Sequence, residues 1–164
     1  MTSMPDGVSV ATMAESVAIA ERLRDAGKTV VFTNGCFDVL HIGHVRYLQA
    51  ARALGDALIV GVNSDASVRR LKGPARPLVC HDERAWIIGS LKCVDHVVVF
   101  DDDTPESLIT AIRPDVLVKG GDYQGTEIVG AAQVRARGGK VALVDVVPGR
   151  STTNLIALIA GRAS

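Results

Sequence analysis

Apolar positions follow two rhythms along this chain. Residues 29–33, 57–62, 96–100, 115–119 and 141–147 are short runs rich in Val, Leu and Ile with no polar alternation. A strand that lacks alternation is covered on both faces, which predicts a parallel sheet between layers of helix. The stretches between the runs carry helical spacing instead: 14–26, with Val17, Ala20 and Leu23 on one face, then 42–54, 65–71, 82–91, 127–137 and 152–160. Gly27, Gly55 and Gly138-Gly139 read as stops, and Asp82 as a cap. Thr104-Pro105-Glu106 reads as a helix start ending before Pro114: a capping hydroxyl, a proline at the first position and an acid at the positive dipole end. Five strands alternating with helices predict a doubly wound, Rossmann-like α/β fold, one domain over residues 14–164 after a mobile lead-in over 1–13. Ligands of such sheets sit beyond the carboxyl ends of the strands, so the residues that follow each strand are where chemistry is sought.

Composition narrows the classes. The 164 residues are 48% apolar, enough to build a core without staples. Lys plus Arg and Asp plus Glu are 18 each, and the zero net charge lacks the basic excess of a duplex binder. One Trp, two Tyr and three Phe are too few for a base-stacking platform, so nucleic acid is not expected as a partner. Cys36, Cys80 and Cys93 are odd in number and have no C-x-x-C spacing, which speaks against a disulfide framework or structural zinc and for a cytoplasmic protein. No leader pattern opens the chain and no run of eighteen apolar residues exists, so no membrane association is expected.

Four polar clusters follow the strands. After the first comes Asn34-Gly35-Cys36-Phe37-Asp38-Val39-Leu40-His41-Ile42-Gly43-His44. His41 and His44, three apart at a helix start, share a face. Gly35 and Gly43 let a ligand approach the backbone, and free N–H groups at that helix end favour an anion. This suits a polyphosphate better than a metal, because two histidines without a third ligand do not make a zinc centre. After the second strand come Asn63-Ser64-Asp65, Arg69, Arg70 and Lys72-Gly73. Lys72 sits in a loop that overhangs the site, with Arg84 as a second cation, whereas Arg69 and Arg70 read as a solvated face. After the fourth comes Lys119-Gly120-Gly121-Asp122-Tyr123, and Ser151-Thr152-Thr153-Asn154 opens the last helix, with hydroxyls suited equally to capping or to a phosphate nest. The dinucleotide fingerprint and the P-loop are both absent.

His41-Ile42-Gly43-His44 matches HxGH, and with the other four segments in order the chain resembles the cytidylyltransferase-like family of nucleotidyltransferases, over about residues 28–159. Within that family it is similar to the branch that adenylates D-glycero-β-D-manno-heptose 1-phosphate, giving ADP-heptose for lipopolysaccharide core. The resemblance implies strand order 3-2-1-4-5 and Mg²⁺ carried by ATP. It places His41, His44 and Lys72 in catalysis on the triphosphate. Nucleotide binding would fall to Asn34, Gly35, Cys36, Phe37, Gly43, Arg84, Gly121, Asp122, Ser151, Thr152 and Thr153. Asn63 and Asp65 would meet the sugar phosphate, and Asp38 would support the site. Relatives are commonly homodimers or larger, and many fuse a sugar kinase; a separate kinase would here supply the sugar 1-phosphate.

One position departs from the wider family. The arginine often found three residues after the last threonine of the closing motif is Ile156 here, and Arg150 is the candidate substitute. Two other readings stand beside the heptose one. The first is transfer with other partners, CTP with glycerol 3-phosphate or ATP with phosphopantetheine. The second is a sensor that binds nucleotide without chemistry.

Overall fold

The computed structural model describes residues 10–121, 127–145 and 151–162. Its strands are β1 (Val10–Ala11), β2 (Val30–Gly35), β3 (Ala57–Asn63), β4 (His96–Phe100), β5 (Val116–Gly120) and β6 (Lys140–Val144). The helices are α1 (Met13–Asp25), α2 (Ile42–Arg52), α3 (Asp65–Lys72), α4 (His81–Gly89), α5 (Glu106–Ile112), α6 (Ala131–Ala136) and α7 (Thr152–Arg162).

All strand pairs are parallel, and the sheet runs β1-β4-β3-β2-β5-β6. This corrects the expected five-stranded sheet: the described residues form six strands, in which β4-β3-β2-β5-β6 keep the expected order 3-2-1-4-5 and the extra strand β1 lies at the edge beside β4. Val10 and Ala11 pair with Val97 and Val98, so part of the expected lead-in is sheet. Thr12 then caps α1 in a reciprocal box with Glu15. Two residues are too few to show a period, which is why β1 is invisible as a pattern.

Alternate residues of each central strand enter opposite cores, as the pleat requires. Phe32, Ile59 and Leu117 pack with α1, α5 and α6 residues such as Ile19, Ile109 and Val134. Val31, Leu58, Val60 and Val118 pack with Leu48, Ala51, Ala85 and Ile88 of α2 and α4. β3 is buried along its full length, whereas edge strand β6 leaves Leu143 53% exposed.

Three helix starts differ from expectation. Cys80, not Asp82, is the N-cap of α4, and Asp82 lies in its first turn. Pro105 is the N-cap of α5, and the Thr104 hydroxyl makes no cap bond there. The helix expected from residue 127 begins only at Ala131, because Gly130 has φ +83 and a Cβ there would lie 2.7 Å from Ile109 Cδ1. The left-handed turn lets the chain pass close over α5, and a helix cannot run through it.

Candidate active site

The sheet changes direction of winding around β2, and beyond its carboxyl end lies an open cleft of about 510 Å³. Buried Thr33 fixes its floor: its hydroxyl donates to Val118 O at 3.0 Å and shares a 2.6 Å hydrogen bond with the Tyr47 hydroxyl. β2, α2 and β5 are thereby tied together under the cleft. One residue on, Asn34 Oδ1 accepts from Lys119 Nζ. Burial at the end of an apolar strand pushes the Lys119 ammonium down to about 8.

The first turn of α2 is built by its own histidines. His41 is the N-cap, with its Nδ1 accepting from Gly43 N–H at 3.1 Å, and His44 Nδ1 accepts from His41 N–H at 3.4 Å. With both Nδ1 atoms assigned as acceptors, each neutral ring carries its proton on Nε2. The rings stack with centroids 3.9 Å apart, and Phe37 meets His44 edge-on at 5.4 Å. Burial and the neighbouring His41 pull His44 down to about 4, so it is a neutral N–H donor at pH 7. Phe37 adopts φ +48, and its ring fills the space a Gly35 side chain would need, with a Cβ there 3.0 Å from the ring.

The loop that precedes α4 is clamped from beneath. Buried Asp38 accepts from Leu78 N–H (2.7 Å) and Val79 N–H (2.9 Å) through Oδ1, and pairs with Arg76 through Oδ2. Arg84 is the largest fully buried side chain. It donates to Val79 O at 2.9 Å, to Cys36 O, and to Asp65 Oδ1 at 2.8 Å. The sequence reading places it as a second cation on the nucleotide, whereas these donors point into the scaffold. His81 Nδ1 lies 3.3 Å from Asp65 Oδ2, so Asp65 too is engaged inside the protein, and these partners hold its carboxyl below its usual range despite desolvation.

Of the residues singled out from sequence, Asn34, Gly35, Cys36, Phe37, His44, Asn63 and Lys72 line the cleft, and Ser151, Thr152 and Thr153 close its far side. Asn63 is oriented by a 3.0 Å bond to Ser67 Oγ. Ser151 Oγ accepts from Asn154 N–H at 3.1 Å, the capping role, and Thr152 Oγ1 donates to Val39 O at 3.4 Å. His41 and Gly43 belong to the α2 turn beside the cleft, and Gly121 directly follows β5 at φ +101 with its N–H donating to Val144 O at 3.1 Å. Asp122 and Arg150 lie outside the described residues. Arg76 and Asp103 line the cleft without being singled out in the sequence, and Lys119, which opens one of the polar clusters there, is given no role of its own. Lys119 alone left a signal, a charge ending an apolar strand, whereas Arg76 meets Asp38 only through tertiary folding.

A parallel sheet with HxGH capping the helix beside its central strand defines a nucleotide-site fold, and the cytidylyltransferase-like family profile matches residues 32–153. The chain belongs to that family. It is 59% identical over 153 residues to the bifunctional protein HldE of Syntrophotalea carbinolica, covering 89% of this chain and 31% of that one. To HldE of Geobacter sulfurreducens it is 62% identical over 130 residues, 79% of this chain and 26% of the relative. The chain thus spans under a third of the length of these curated relatives. The crystal structure of a lipopolysaccharide core biosynthesis protein from Thermoplasma volcanium superposes with a TM-score of 0.59 at 27% identity, covering 74% of this chain and 98% of that one. No helix among the described residues is long and apolar enough to cross a membrane.

Proposed function

We propose that the chain transfers AMP from ATP to D-glycero-β-D-manno-heptose 1-phosphate, forming ADP-heptose and pyrophosphate in the cytoplasm. The observation that carries this reading is the α2 turn. It fixes two imidazoles by their Nδ1 atoms, which puts their ring protons on Nε2, and it adjoins a cleft lined by His44 and by Lys72, the latter making no hydrogen bond or salt bridge with any described residue. Similarity to the HldE proteins and to a lipopolysaccharide core biosynthesis protein supports the acceptor.

In the proposed step an oxygen of the sugar phosphate attacks the α-phosphorus in line, and the bond to the bridging oxygen of pyrophosphate breaks. The attacking group is already an anion near pH 7, so positioning and charge stabilisation do the catalysis. His41 and His44 donate to phosphate oxygens, Lys72 follows the charge onto the leaving group, and Ser151 to Thr153 present the start of α7 to the nucleotide. Arg84 and Asp65 position the walls.

Mg²⁺ would neutralise phosphate charge when bound. The cleft's own carboxylates are engaged, Asp38 with Arg76 and Asp103 with Arg70, which fits an ion carried on the nucleotide's oxygens. A heptose kinase reaction would supply the acceptor.

The test is product identification from ATP, heptose 1-phosphate and Mg²⁺ by mass and ³¹P spectra. ADP-heptose is the expected product. Turnover only with CTP and glycerol 3-phosphate, or only with ATP and phosphopantetheine, would replace the acceptor. ATP binding without pyrophosphate release from any pair would make the chain a sensor.

A further inference from the structure

At the opposite end of the sheet from the cleft lies a second cavity, of about 540 Å³. Its walls come from the segments that lead into β2, β5 and β6: Thr29, Asp115 and Lys140. The six-residue length of β2 separates the two cavities by about 20 Å at the usual rise per residue.

Among the described residues this cavity is lined by four cations, Arg24, Arg113, Arg137 and Lys140, against a single carboxylate, Asp115. The chain as a whole is neutral, so the local excess is an arrangement and not a consequence of composition. Asp115 is partly spent, its Oδ2 accepting from Val30 N–H at 2.8 Å, and the nearby Asp56 accepts from Thr29 N–H at 2.8 Å. Arg24 is fixed at the lip, donating to Ile112 O at 2.8 Å and Arg113 O at 3.0 Å. The side chains of Arg113, Arg137 and Lys140 make no hydrogen bond or salt bridge with any described residue. Desolvation, together with the charges of Arg113 and Arg24, lowers the Arg137 pKa while Asp115 opposes, the mark of cations crowded without enough counter-charge. Gly138 leaves the rim bare, with open space where its side chain would stand.

We propose that this cavity is a second anion site, one that takes a phosphate or pyrophosphate group through Arg113, Arg137 and Lys140. Guanidinium forks match phosphate oxygens two at a time, and a doubly charged anion offsets the repulsion among the cations. The cavity has room for a phosphorylated small molecule behind the phosphate. The inference stands apart from the chemistry of the cleft.

Inorganic pyrophosphate, titrated into the ¹⁵N-labelled full chain and followed by amide shifts, tests it. Saturable shifts are expected at Arg113, Asp115 and residues 137–140 and are expected to persist in Lys72→Ala. The affinity at those residues should fall at least 10-fold in Arg113→Gly/Arg137→Ala, where glycine suits the left-handed φ of +54 at position 113. Orthophosphate and ADP, run in parallel, distinguish a free phosphate from a nucleotide as the source. Shifts confined to residues 34–44, or shifts at 137–140 that sodium chloride of equal ionic strength reproduces, would overturn the proposal. If the double variant loses its native amide pattern, Lys140→Ala alone decides, with an expected loss of several-fold and no loss as the refuting outcome.

Discussion

Arg84 and Lys72 are both cations at the edge of the same loop, and their circumstances are opposite. Arg84 is buried and spends its guanidinium on two carbonyls and a carboxylate. Lys72 lines the cleft and bonds to no described residue. A cation whose donors are consumed holds a wall in place, and one whose donors are open can follow charge on a substrate. The same division separates Asp38, bound by three partners, from Ser151 to Thr153 at the rim.

The comparison breaks most sharply at Arg84. Arg84→Met should cost about 3–5 kcal/mol of folding stability, because Asp65 and two carbonyls lose a buried partner. Chemical denaturation measures it, and a stable variant with only KM changed would return Arg84 to the substrate. Lys72→Ala and His44→Ala should instead each lower kcat by about 100-fold, with folding stability nearly intact at pH 7. Steady-state rates beside melting curves separate the two classes.

His44 supplies a pH test. Its pKa is about 4 folded against 6.5 as a free group, so the unfolded chain binds the proton more readily between those values. The folded state should be at full strength above pH 6.5 and lose up to about 3 kcal/mol as pH falls to 4, less what solvent screens. His44→Ala should flatten that part of the stability profile. Lys119, poised at about 8, should give the rate an alkaline limb near that pH as the donor to Asn34 loses its positive charge. Lys119→Arg should move the limb upward. The smallest effect belongs to Thr104→Ala, expected within about 0.5 kcal/mol of wild type because its hydroxyl caps nothing.

These contrasts mark how far the sequence can be read. Five strands and the HxGH turn are legible because burial on both faces erases alternation and because two histidines around a glycine are uncommon at a helix start. β1 is not legible, since two residues carry no period. Arg84 marks a different limit: a charge near a cleft and a charge beneath its wall are written with the same letter. Only the distances to Val79, Cys36 and Asp65 tell them apart. Arg76 and Asp38 find each other across a loop, a pairing no local pattern encodes.

Gly35 has a reach beyond its own position. The hydrogen it carries in place of a methyl is what allows the Phe37 ring to come close to the backbone, and that ring in turn leans on His44. Alanine there would act as a wedge at one end of a short mechanical train whose other end is an imidazole. A change made two residues before the ring would thus be felt as a misaimed donor.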